Sequence, residues 1–276
     1  MAALNTRVAE ALARIRREKP LIHHITNLVV MNDTANVTLH VGALPVMAHA
    51  VEEVAEMVGM AGALVLNPGT LTPAWVESML VAGRRANERN IPIVLDPVGA
   101  GATALRTQVS QRLLDELHIA VVRGNSGEIG ALSGAGGIVK GVESVAEVRD
   151  PVAVAQGLAQ KRRTVIAITG KRDVLSDGRR VLGVDNGHSW LTTITGTGCM
   201  ATTMIAAFAT VEQDYLLAAA GGLACFGLAA ELAATKAHGP ASFKLAFFDQ
   251  IYNLTSEQLA EGARIVELTP TVLHEP

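Results

Sequence analysis

The chain has 276 residues, 49% of them hydrophobic and 18% charged, with a net charge of −3. That balance excludes a disordered chain, and the absence of a long basic run excludes a nucleic-acid binder. Aromatic residues are only 3%, while Ala and Gly abound, so the core must pack small side chains tightly.

Residues 1–7 lack the apolar core of a signal peptide, and the short cluster Arg14, Arg16, Arg17 and Lys19 reads as a solvated helix face. Near-continuous apolar runs at 21–25, 63–66, 91–95, 119–122 and 164–168 read as strands covered on both faces. Helical patterns fall between and after them, at 32–41, 51–60, 73–89, 103–118 and 144–162. Pro73 behind Thr72 fits an N-cap with proline at the first helical position. Such alternation predicts βαβ units in a mostly parallel sheet. Residues 173–184 read as a hairpin turning at Asp177-Gly178. Beyond 195–199 the pattern predicts helices only, at 200–211, 215–236 and 241–262. The uncharged stretch 215–230 is too short and too rich in Gly and Ala for a membrane span and reads as a buried helix. Neither a linker nor an internal repeat divides the chain. The expectation is one α/β domain over 1–276, with a central mostly parallel sheet flanked by helices and an antiparallel edge, in a soluble, cytoplasmic protein.

Polar residues collect where the strands end: Thr26-Asn27, Asn67-Pro-Gly69, Asp96-Pro-Val-Gly99, Arg123-Gly-Asn125 and Thr169-Gly-Lys171. Each taken singly is ordinary turn chemistry. Five together point to the crevice beyond the strand carboxyl ends, where open α/β sheets bind ligands. Asp96 and Glu128 could hold Mg²⁺ between them, or serve as a turn residue and a first-turn helix acid. Arg123 could fork onto phosphate or join an ion pair. The loop Thr195-Gly-Thr-Gly-Cys199 leads into a helix former. It is either a ligand-free turn or a seat for an anion on backbone N–H groups and the helix dipole. His23 and His24 lie in a strand, one of them facing inward. Met47, Met57 and Met60 read as core. Cys199 and Cys225 form neither a disulfide framework nor a CxxC spacing.

These pieces together resemble the hydroxyethylthiazole kinase family. The resemblance runs from about residue 20 to the last helix. It is carried by His24-Ile-Thr-Asn27, Val29-Val-Met-Asn-Asp-Thr-Ala-Asn36, Gly42-Ala-Leu-Pro-Val-Met47, Asn67-Pro-Gly-Thr-Leu71, Asp96-Pro-Val-Gly-Ala-Gly101, Arg123-Gly-Asn-Ser-Gly-Glu128 and the 195–199 loop. Asn67-Pro-Gly departs from the Asn-Ile-Gly common in that family. The resemblance implies a ribokinase-like fold and ATP- and Mg²⁺-dependent phosphorylation of 4-methyl-5-(2-hydroxyethyl)thiazole in thiamine salvage. It also implies a homotrimer with sites between subunits. Met47, Gly196 and Asn27 would meet the thiazole; Arg123 and Thr169 would meet ATP; Asp96 and Glu128 would hold the metal. Thr197, Gly198 and Cys199 would form the catalytic loop.

Cys199 stands where broader ribokinase-like kinases carry an aspartate base. Our expectation is that it shapes the loop and positions the alcohol; the rival role is the base itself. Competing functions are another kinase of the same fold, a ligand-binding protein without catalysis, and an oxidoreductase. The last rests only on the formal Gly-x-Gly-x-x-Ala match at 196–201.

Overall fold

A computed structural model describes residues 2–134, 139–140, 143–144 and 148–271. The strands are β1 (Leu21–Ile25), β2 (Leu44–Val46), β3 (Ala63–Leu66), β4 (Ile93–Leu95), β5 (Val121–Asn125), β6 (Val139–Lys140), β7 (Glu143–Ser144), β8 (Val165–Thr169), β9 (Asp173–Ser176), β10 (Val181–Val184) and β11 (Ile265–Leu268). The helices are α1 (Ala2–Glu18), α2 (Met31–Val41), α3 (Val54–Gly59), α4 (Pro73–Glu88), α5 (Ala104–Glu116), α6 (Ser126–Ser133), α7 (Pro151–Arg162), α8 (Thr197–Ala209), α9 (Tyr215–Ala234), α10 (Pro240–Asn253) and α11 (Ser256–Gly262).

Nine strands form one sheet in the order β11-β10-β9-β8-β5-β4-β3-β1-β2. The six from β8 to β2 run parallel, and β9, β10 and β11 add an antiparallel edge. Successive strand residues feed opposite cores. Ala63 and Val65 pack with α1, α8 and α9, while Leu64 and Leu66 pack with α4. Helix α9 is the one described helix long and apolar enough to cross a membrane, and it lies buried in the core. There α9 approaches α8 closely: a Cβ at Gly222 would stand 2.8 Å from the Ile205 backbone. Small residues thus let two core helices touch, as the composition requires.

The Thr72 hydroxyl accepts from Trp75 N–H and caps α4, with Pro73 at its first turn, as expected. Several boundaries differ. Helix α3 begins at Val54 and not at residue 51, because 51–53 form a turn. Ser144 pairs in the two-stranded β6–β7 ladder, so the helix expected from 144 starts at Pro151 with an Asp150 cap. Residues 145–147 of that expectation lie outside the described residues. Strand β2 was hidden by its length of three residues; its Pro45 is tolerated because the strand lies at the sheet edge.

Directly before the glycine loop, Ser189–Thr193 form a 3₁₀ turn capped by His188, with Trp190 edge-on against Phe243. The expected helix 241–262 breaks at Leu254 and restarts under a Thr255–Gln258 capping box. Its sequel, β11, overturns the expectation of helices only: the hairpin's outer strand offers a free edge, and β11 fills it. The basic cluster is not simply solvated, since Arg16 donates to the last carbonyls of α10 at Ile251 and Tyr252.

Candidate active site

The strand carboxyl ends converge as the alternation implied. Strand β5 runs further than expected and carries Arg123 and Asn125 within its own length, because Asn125 pairs with Thr169 of β8. Arg123 Nη2 donates to the Thr169 hydroxyl, and its Nη1 lies 3.9 Å from Asp96 Oδ1. A Cβ at Gly198 would press on the Arg123 guanidinium, which places that cation directly against the glycine loop.

Helix α8 begins three residues earlier than expected, at Thr197. Gly196 is its N-cap, with φ +86°, and a Cβ there would lie 2.6 Å from Val30 Cγ1. No side chain caps this end, and the first helical hydrogen bond runs from Met200 N to Gly196 O. The N–H groups of 197–199 therefore precede the ladder and carry the positive end of the helix dipole.

Asp96 is fully buried. Its Oδ2 accepts from the Thr202 hydroxyl at 3.0 Å and from Asn67 Nδ2 at 3.2 Å; its Oδ1 has no hydrogen-bond partner. Burial raises the Asp96 carboxyl above its ordinary range, against the lowering pull of Arg123. Glu128 spans two loops, accepting Gly99 N–H on Oε1 and Asn125 N–H on Oε2, while the Asn125 side chain caps α6 in return. Burial, then the charge of Asp96, pushes Glu128 up to about 7. The Cys199 sulfur accepts from Asn67 Nδ2 at 3.1 Å and from Asn27 Nδ2 at 3.6 Å. Burial, then Asp96, pushes this thiol up to about 12, so it stays protonated at neutral pH.

The structure thus gathers Asn27, Asp96, Arg123, Glu128, Thr169 and the 196–199 loop. Met47 follows β2 at the same sheet edge, half-buried. Three contributors escaped sequence reasoning. Thr202 lies four residues after Gly198, one helical turn on, a spacing that could have flagged it. Asn67 was seen as a strand-end polar residue in a segment that carries the resemblance, with no role of its own. Asp173, which accepts Gly170 N–H at 3.0 Å and closes the turn after Thr169, looked like an ordinary hairpin residue; burial pushes it up to about 7.

Among the described residues no three acidic, His or Cys side chains form a metal cluster. An Asp96–Glu128 pair could hold Mg²⁺ nonetheless: Asp96 Oδ1 has no hydrogen-bond partner, Glu128 is a second buried acid near enough to feel the Asp96 charge, and magnesium takes one or two carboxylates beside phosphate and water. The formal Gly-x-Gly-x-x-Ala match opens α8, which is followed by α9 and not by a strand, so no dinucleotide-binding unit forms around it.

The mostly parallel sheet with an antiparallel edge, its polar strand ends gathered around a helix N-terminus, has the ribokinase-like fold. Pyridoxal kinase from Staphylococcus aureus, solved with AMP-PCP and pyridoxal, shares this fold. Its TM-score is 0.59 at 14% identity, covering 90% of this chain and 99% of that one. The family model for the hydroxyethylthiazole kinase family matches residues 12–257. A hydroxyethylthiazole kinase from Roseiflexus castenholzii is 74% identical over 268 residues, 97% of this chain and 99% of the relative. The structure of hydroxyethylthiazole kinase from Pyrococcus horikoshii OT3 is 44% identical with a TM-score of 0.88, covering 95% and 99% of the two chains. The chain belongs to the hydroxyethylthiazole kinase family and is an enzyme, a kinase.

Proposed function

We propose that the chain, working as one kinase domain, transfers the γ-phosphoryl group of ATP to the hydroxyl of 4-methyl-5-(2-hydroxyethyl)thiazole in thiamine salvage. One observation carries the reading: the uncapped start of α8 opens beside Arg123 and the buried acids Asp96 and Glu128. In-line phosphoryl transfer asks for positioning and charge stabilisation more than for covalent help. The N–H groups of Thr197, Gly198 and Cys199 receive the oxygens of the moving phosphoryl group, with the helix dipole behind them. Arg123, braced by Thr169, offsets charge on the nucleotide phosphates. Asp96 and Glu128 would hold Mg²⁺, which when bound neutralises the triphosphate.

Asn27, Met47 and Gly196 line the thiazole side. Cys199 acts as a thiol there: a group held near 12 is a poor base at pH 7. It shapes the seat and orients the alcohol, and the alcohol proton leaves late, to a phosphoryl oxygen. The protein works as a homotrimer with sites between subunits, as the family resemblance implies; Leu28 and Val29, exposed directly after Asn27, offer an apolar contact surface beside the site. A cytoplasmic location completes the reading.

Incubating the protein with ATP, Mg²⁺ and the thiazole alcohol should yield thiazole phosphate by mass spectrometry. Hydroxymethylpyrimidine and sugars should give far less phosphorylated product. No thiazole phosphate, or preference for another alcohol, refutes the assignment.

A further inference from the structure

Asn67 is buried at the end of β3 with every polar position of its carboxamide engaged. Its Oδ1 accepts from Gly69 N–H at 3.0 Å and from Asn27 Nδ2 at 3.0 Å. Its Nδ2 donates to Asp96 Oδ2 at 3.2 Å and to Cys199 Sγ at 3.1 Å. The polarity of this amide does not depend on an arbitrary choice of O and N. A backbone N–H only donates, so the atom facing Gly69 N–H is the oxygen and the NH₂ must face Asp96 and Cys199. Asn27 is fixed in the same way by Val29 N–H, 3.1 Å from its Oδ1. Two amides of backbone-dictated polarity therefore both direct N–H groups at one sulfur.

We propose that Asn67 is a positioning residue for phosphoryl transfer, holding the Cys199 thiol and the Asp96 carboxylate in fixed relation through the two hydrogens of one carboxamide. The inference rests on the assignment of Cys199 and Asp96 to the reacting centre. Asn67 and Asn27 both donate to the sulfur, so the thiol hydrogen is turned away from them, and it bonds the Asp96 carboxylate. The substrate hydroxyl then meets a sulfur of fixed position. A fully satisfied buried carboxamide also resists rotation, since turning it would strand four partners.

Three readouts test this. Replacing Asn67→Ala should lower kcat by about 30-fold while both KM values stay within about threefold, as for a group that acts on orientation. In a Cys199→Ala background the same replacement should cost clearly less than in the wild type, because one of the two groups it positions is gone. The S–H stretching band of Cys199, isolated by Cys225→Ala, should shift when Asn67 is replaced. Asn67→Asp keeps the shape and the Gly69 bond but turns an oxygen toward Asp96 and the sulfur; it should lose as much activity or more, and it serves if the Ala variant fails to fold. An unchanged kcat in a folded variant, equal losses in both backgrounds, or an unmoved S–H band overturns the proposal. Should the wild type prove inactive on the thiazole alcohol, the function assigned above fails. The infrared comparison still decides whether Asn67 holds the thiol.

Discussion

Cys199 shows how one residue changes meaning when its surroundings are known. At a helix N-terminus a thiol is usually acidified. Here burial and the neighbouring Asp96 outweigh that effect, and the hydrogen bonds from Asn67 and Asn27 and the charge of Arg123 do not offset them. A protonated thiol that positions an alcohol is dispensable in a way that a base is not. Cys199→Ala should therefore lower kcat by less than the ~100-fold expected for loss of an acid–base group, measured at saturating ATP and thiazole. A larger fall at unchanged stability would restore the base.

The working element is the start of α8. Its uncapped N–H groups depend on Gly196 holding a left-handed φ against Val30. Gly196→Ala meets both the strain of positive φ, ~1 kcal/mol or more, and a clash with Val30 Cγ1. The loop must shift, so kcat/KM should fall far more steeply than Tm. Equal activity in this variant would show that the amides of 197–199 do not seat the phosphoryl group. The other end of the site depends on strand pairing: the Asn125–Thr169 match brings Arg123 beside the Thr169 hydroxyl. This is why β5 extends beyond its apolar run, and why a pattern based on hydrophobicity ended it too early.

Across the whole molecule, buried titratable groups impose opposite pH slopes on stability. His24 is fully enclosed, with Nε2 against the Thr38 hydroxyl, and burial lowers it to about 3. Its unfolded value lies near 6.5, so the unfolded chain binds the proton first. The contribution is whole above pH 6.5 and is lost as pH falls toward 3. Asp173 is raised to about 7, so it is the folded chain that binds the proton. Its contribution is present below its unfolded value of 3.8 and is lost as pH rises through about 7. In Tm measurements, His24→Asn should gain on the wild type as pH drops from 7 to 5. Asp173→Asn, which keeps an acceptor for Gly170 N–H, should gain on it as pH rises from 5.5 to 8. Parallel curves in either case would refute the corresponding burial argument.

Much of this protein was legible in the sequence, because the signals concerned are local. Alternating apolar runs and helical patterns dictated a two-faced, mostly parallel sheet, and the polar residues at five strand ends marked its functional edge. Thr72-Pro73 located one helix start to the residue. What the sequence alone left open depends on contacts between distant segments. Asn67 meets Cys199 across 132 positions, and Thr202 meets Asp96 across 106. No local pattern encodes such meetings. Only the folded sheet set the protonation of Cys199 and Glu128, because burial and the distance between charges fix a pKa. The edge strands β2 and β11 were likewise decided there, since three or four residues become a strand only when a neighbour offers unpaired backbone groups.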